Sequence, residues 1–205
     1  TILENMYGEN ATAKDFTPLW VKGIQNNAAQ FDKANAAFVQ EHYDALTLGN
    51  ESFSIELWFK SAGGSVDWYL LHKGSHATNS YEGATGKWFG IQYQKNSKND
   101  RLTWAVDDDV TKTDINVTGA TTKYFNNEWV HLVCVRDVEE KQLKMYANGI
   151  LVASGADKTG DIGTIERMAI GNCNTAYENG FQGLMDELTI YNEAVSYTHL
   201  TLPTT

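Results

Sequence analysis

Three consecutive acids, Asp107-Asp108-Asp109, stand at the mouth of a polar stretch. Calcium takes six to eight oxygens, and acids crowded at a loop mouth can supply two of them, which makes Asp107 and Asp109 candidate metal ligands. The run does not match an EF-hand loop, which sets acids at alternate positions around a glycine; a solvated acidic turn is the competing expectation. Carboxylate catalysis asks for two acids at a set separation on one face. Glu56 stands alone in its strand, and Asp186 and Glu187 are adjacent, so in a strand they point to opposite faces. No Ser-His-Asp order, phosphate-cradling glycine loop or dinucleotide fingerprint occurs, and no catalytic residue is expected. Sugar binding asks for aromatic faces beside hydrogen-bonding side chains, because a sugar stacks its C–H face and bonds through its hydroxyls. Trp68, Tyr81, Trp88 and Tyr93 lie near two polar stretches, with His72, Lys73, Asp107 and Lys112 as polar companions. These eight are the expected ligand-binding set, with core packing as the competitor for each aromatic. Trp58, Trp104 and Trp129 sit inside strand patterns and are expected to be structural, and His131 a hydrogen-bonded strand residue.

The elements that must position these residues read as strands. Trp129 to Ala153 begins with an arm that is apolar on both faces: Val130, Leu132 and Cys134 on one, Trp129, Val133 and Val135 on the other. Such a strand is buried on both sides. A charged turn at Glu139-Glu140-Lys141 leads to the alternating arm Leu143–Ala147. Asn148-Gly149 then supplies the two positive-φ residues of a type I′ turn, so three consecutive strands form a meander. Ser52–Lys60 alternates with Phe53, Ile55, Leu57 and Phe59 on one face. Further strands are expected at Ala28–Gln40 (two runs around a turn at Asp32–Asn35), Trp68–Lys73, Trp88–Gln94, Arg101–Asp107, Arg167–Cys173 and Phe181–Tyr191. His76–Lys87 and Asp107 to about Ala120 are expected as long polar loops. No helix-period stretch of useful length occurs, and ten to twelve short strands predict an all-β, antiparallel β-sandwich or jelly roll.

The 205 residues suit one well-packed domain of sandwich size. A formal net charge of −10 argues against nucleic acid, whose phosphates such a surface repels. Two cysteines, Cys134 and Cys173, make neither a disulfide scaffold nor a zinc site, although one bridge between them is open. No apolar run reaches the ~18 residues of a membrane span.

Read together, Phe31-Asp32, Phe53–Lys60, Leu70–Gly74, Trp88–Ile91, Glu128–Val133, Leu143–Gly149, Ala169–Asn172 and Phe181–Asn192 resemble, in order and spacing, the laminin-G-like, concanavalin A-like jelly-roll domains of secreted bacterial proteins. The resemblance covers residues 28–194, with 1–27 as a linker or edge segment. It implies a non-catalytic module on a secreted or surface protein, extracellular or at the cell surface, with a periplasmic place also open. The implied partner is a glycan or polysaccharide, or a cell-surface protein in a module without glycan affinity. A structural calcium is also implied. In related jelly rolls an acid of the last long strand faces an N-terminal segment and holds the ion; here that acid is Asp186, with Asp32 as its partner. Glycosidases of the class carry Glu-x-Asp-x-x-Glu on one strand, and that spacing is absent, which leaves a hydrolase or lyase as the remoter alternative. The two long polar loops depart from the family pattern. Val195–Thr205, VSYTHLTLPTT, is expected to be a non-native tail, since it reads as a translated sequencing adapter. The chain opens at Thr1 rather than Met and is read as a fragment.

Overall fold

The computed structural model describes residues 2–3, 9–64, 67–75, 86–173 and 180–196. In chain order its strands are β1 (Ile2–Leu3), β2 (Ala11–Lys14), β3 (Leu19–Lys22), β4 (Asn27–Phe31), β5 (Ala37–Gln40), β6 (Phe53–Lys60), β7 (Trp68–Gly74), β8 (Lys87–Lys95), β9 (Asp100–Asp108), β10 (Lys112–Thr118), β11 (Trp129–Asp137), β12 (Gln142–Ala147), β13 (Ile150–Ala156), β14 (Met168–Ile170) and β15 (Gly183–Tyr191). The only helical turns among the described residues are a 3-10 turn at Asp44–Leu46 and the five-residue α1, Ala120–Tyr124. One sheet has the order β1-β2-β5-β14-β7-β8-β9-β10, and the other β13-β12-β11-β6-β15-β4-β3. The strand pairings are antiparallel, and two such sheets stacked face to face are the expected β-sandwich.

The core between the sheets is built by the period-two alternation. Phe53, Ile55, Leu57 and Phe59 of β6 face Phe89, Ile91, Leu102, Trp104 and Val106 of the eight-stranded sheet, all of them almost wholly buried. The Phe53 ring lies 5.0 Å from Phe89 and 5.9 Å, edge-on, from Trp104. The Trp104 indole N–H donates to the Val135 carbonyl at 3.1 Å, one hydrogen bond spanning the two layers. At Asn148-Gly149 both φ angles are positive, 48° and 87°, as a type I′ turn requires. The same turn is tied back to β11: His131 N–H donates to Asn148 Oδ1 at 2.9 Å, and Asn148 N–H to the His131 carbonyl at 2.8 Å.

Two stretches differ from expectation. Lys112–Thr118, expected within a polar loop, is β10 at the edge of its sheet. Thr113, Ile115 and Val117 alternate inward, and the polar residues between them mask the pattern. Residues 1–27, expected as a linker or edge segment, contribute three edge strands: β1 and β2 extend one sheet, and β3 closes the other against β4. Phe16 stacks on Phe31 at 5.5 Å, which fastens this segment to the core.

The apolar outer face of β11 also has its reason. Beyond β15 the chain turns back over it. Ser54 Oγ donates to the Glu193 carbonyl at 2.7 Å and accepts the Val195 N–H at 2.9 Å, and Val195 packs with Val133 and Val135. Cys134 and Cys173 are both buried and not joined to each other; burial pushes the Cys134 thiol's pKa up.

Candidate functional site

Opposite the core, the outer face of β7–β10 gathers side chains of another kind. Each strand that points aromatic and aliphatic residues inward points small or polar ones outward. Cross-strand register sets them in rows. Trp88 stands opposite Asp107, and Asp107 opposite Lys112; Gly90 stands opposite Ala105, and Ala105 opposite Asp114; Gln92 stands opposite Thr103, and Gln94 opposite Arg101. Tyr69 of β7 adjoins Gln92, and His72 adjoins Gly90. A depression lies between the rows, floored by Gly90 and Ala105 and walled by Tyr69, Trp88, Gln92, Gln94, Arg101, Thr103, Lys112 and Asp114. Its volume, about 20 Å³, admits a hydroxyl or a water but not a sugar ring. Glycine keeps the floor low: a Cβ at Gly90 would stand 3.1 Å from the Leu71 carbonyl oxygen and 3.2 Å from His72 Cδ2.

The polar groups here form a connected set. Arg101 Nε donates to Gln94 Oε1, and the Thr103 hydroxyl, 3.4 Å from that oxygen, gives its one proton to Asn116 Oδ1 at 2.6 Å. Gln92 is 6% exposed, and its Nε2 has no hydrogen-bond partner among the described residues. Lys112 Nζ lies 6.0 Å from the Trp88 ring centroid.

Of the eight residues expected to bind a ligand, four meet on this face: His72, Trp88, Asp107 and Lys112. The His72 and Trp88 rings are 5.5 Å apart, and Trp88 is only 5% exposed, so it contributes an edge rather than an open platform. Trp68 and Tyr93 point the other way, into the core, 5.3 Å from each other, with Tyr93 3.9 Å from Phe125. Lys73 also points inward, at the end of the sandwich. Its Nζ donates to the Glu166 carbonyl at 2.5 Å and lies 3.4 Å from His42 Nδ1, and burial lowers its pKa to about 8. Tyr81 lies outside the described residues. Tyr69, Gln92, Arg101 and Asp114 belong to the face although the sequence reading passed over them. Counting by twos from Trp88 gives Gly90, Gln92 and Gln94, and from Asp107 gives Ala105, Thr103 and Arg101, so the alternation carried the signal.

The acids proposed as calcium ligands are arranged otherwise. Asp107 is fully buried and its Oδ1 accepts the Asp109 N–H at 2.8 Å; Asp109 has φ 73° and is exposed. Asp108 accepts the N–H groups of Val110, Thr111 and Gly160, which, against the cost of burial, hold its carboxyl below the usual range. Asp186 does face an N-terminal segment: its Oδ2 accepts Ile24 N–H at 2.7 Å and Gln25 N–H at 3.2 Å, and its Oδ1 accepts Glu187 N–H at 3.0 Å. Three amide donors thus share the two oxygens of this carboxylate. Asp32 is not brought to it. Met185 pairs with Ala29, and Asp32 lies three residues further along the chain, beyond the end of β4, so about 10 Å or more separates the two acids. Among the described residues no group of three or more His, Cys, Asp or Glu could hold a metal.

A second polar cluster occupies the outer face of the other sheet. His131 Nε2 and Tyr191 Oη each lie 2.6 Å from a Glu56 carboxylate oxygen, and the His131 ring stacks on Trp58 at 4.8 Å. Burial works against ionisation of Glu56, and the hydrogen bonds from His131 and Tyr191 outweigh it, leaving its pKa lowered. Burial and Glu56 together push the Tyr191 phenol up to about 12.

Comparison with known proteins gives this geometry a family. Residues 32–201 match the model of Laminin_G_3, the concanavalin A-like lectin/glucanases superfamily, and the chain belongs to it. No curated protein sequence matches. Among solved structures, domain 4 of the extracellular arabinanase AbnA from Geobacillus stearothermophilus, in complex with arabinotriose, is similar at 20% identity and TM-score 0.64, over 97% of this chain and 84% of that one. The binding domain of Paraclostridial Mosquitocidal Protein 1 is similar at 16% identity and TM-score 0.68, over 95% of this chain and 47% of that one. The binding domain of botulinum neurotoxin serotype D, in complex with N-acetylneuraminic acid, has 11% identity and TM-score 0.68, over 94% and 45%. The chain thus spans about half the length of these toxin domains. At such identities the likeness is one of fold.

Proposed function

We propose that this domain is a non-catalytic carbohydrate-binding module of a secreted or cell-surface protein, and that the glycan lies across the outer face of β7–β10. The observation that carries the reading is the depression floored by Gly90 and Ala105, edged by Tyr69 and Trp88, into which a buried amide, Gln92 Nε2, presents an unused donor. A face of this make-up suits a sugar that lies flat and sends one hydroxyl or hydroxymethyl group into the depression. Structural neighbours that are binding domains support the reading, as does the lack of a paired-carboxylate constellation on the face. The structural calcium that the family resemblance implies is probed in the same test by comparing calcium with chelator.

The test is affinity electrophoresis through a panel of neutral and acidic polysaccharides, with calcium and with chelator, assaying the same samples for new reducing ends. The expected result is retardation without products, unchanged by chelator. New reducing ends would overturn the non-catalytic reading, and free migration through every gel would overturn the glycan reading. A second reading, a protein-interaction module, is favoured by the exposed apolar edge at Ile150 and Leu151 of β13, which are 66% and 50% exposed.

A further inference from the structure

Resting on the carbohydrate site proposed above, we propose that the ligand is a sugar bearing a carboxylate, a uronate or sialate unit, held at the Arg101 end of the face. The depression is not chemically uniform. Arg101, Gln94 and Gln92 gather at one end, and Asp114 stands at the other beside Ala105. Four residues of β9 separate Arg101 from Ala105, about 13 Å at strand rise.

The Arg101 end consists of donors. Arg101 is half-buried; among the described residues its side chain makes one hydrogen bond, from Nε to Gln94 Oε1, and no ion pair, and its Nη atoms have no partner. Gln94 Oε1 holds the guanidinium at its Nε edge and leaves the remaining fork for a ligand. A planar fork with two parallel N–H groups matches a carboxylate better than any single hydroxyl. One position along and one strand over, Gln92 adds its Nε2, which has no hydrogen-bond partner among the described residues, whereas Lys112, opposite Asp107, stands beyond Asp114 at the other end. The Arg101 guanidinium stands on a chain of formal charge −10. The general surface therefore repels an acidic polymer, and only a local site captures one. At the far end Asp114, which accepts Asn116 Nδ2 on one oxygen, is an acceptor for sugar hydroxyls. The face is thus read as polar end to end: carboxylate at Arg101, hydroxyls at Asp114.

The experiment compares polygalacturonate with its fully methyl-esterified form, and hyaluronan with its carboxyl-reduced form, beside neutral arabinan and galactan, using the 205-residue chain, its Arg101→Gln variant and its Gln92→Leu variant. The expected result is that at least one acidic polymer binds about tenfold or more tighter than its neutralised partner, and that Arg101→Gln abolishes the difference. Added salt weakens the acidic complex. Gln92→Leu is expected to lose affinity while its Tm holds or rises, because it deletes a buried donor that nothing satisfies. Equal or better binding of the neutralised polymers would overturn the carboxylate inference and leave the glycan site standing. Failure of every polymer would overturn both. A Gln92→Leu variant that melts earlier yet binds normally would make Gln92 a structural residue and remove it from the site.

Discussion

At the residue scale, the Asp186 carboxylate ties the turn between β3 and β4 to the last strand, β15, through Ile24 and Gln25. Asp186→Ala leaves those amides without an acceptor and is expected to cost about 1–3 kcal/mol in urea unfolding, with no dependence on added calcium. Gly23→Ala is expected to weaken the same contact, since its Cβ would stand 2.2 Å from Asp186 Oδ2. Lys73 makes a prediction in pH. Its folded pKa is about 8 against an ordinary 10.5, with burial as the main cause. Between those values the unfolded chain holds a proton that the folded one has released, so stability rises with pH across that window and the cost of charging Lys73 is felt below it. Lys73→Met is expected to flatten the rise in Tm between pH 8 and pH 10; an unchanged slope would show that other groups carry it.

At the scale of elements, what the sequence made legible was whatever period two controls. β6, β8, β9, β11 and β12 and the Asn148-Gly149 turn follow directly from alternation and turn chemistry. Gly149→Ala is expected to cost about 1–2 kcal/mol, because φ at this position is positive and alanine avoids it. β10 was hidden because Lys112, Asp114 and Asn116 make an edge strand look like a loop, and β1–β3 because short edge strands carry little apolar signal. The site was half legible for a related reason. Alternation says which residues share a face but not which face meets the core. Trp68 and Tyr93 resemble Trp88 in type and lie close by, yet the pleat sends them inward to Phe125. Only the pairing of strands distant in sequence, β5 beside β14 and β6 between β11 and β15, fixes that choice. The link between layers is testable as well. Trp104→Phe leaves the Val135 carbonyl without its indole donor and is expected to cost about 1–3 kcal/mol, read by denaturant midpoint.

At the scale of the whole molecule, the two outer faces have separate fates. On the seven-stranded sheet the chain's own return past β15 covers Val133 and Val135, and His131 Nε2 and Tyr191 Oη hold the Glu56 carboxylate, while the buried His131 Nδ1 has no hydrogen-bond partner among the described residues. No described helix is long and apolar enough to cross a membrane. On the eight-stranded sheet, Gln92 and the Arg101 fork keep bonding capacity that the fold does not use. Recognition is assigned to the eight-stranded face because the depression and the Arg101 fork lie there together. The most direct measurement is a backbone, Arg Nε and side-chain amide NMR titration with galacturonate and arabinose trisaccharides. The account predicts the largest shifts at the Gln92 amide, Arg101 Nε–H and the outward residues of β8–β10, with small changes around Glu56 and His131. Shifts centred on the seven-stranded sheet, or no shift with any oligosaccharide, would contradict it.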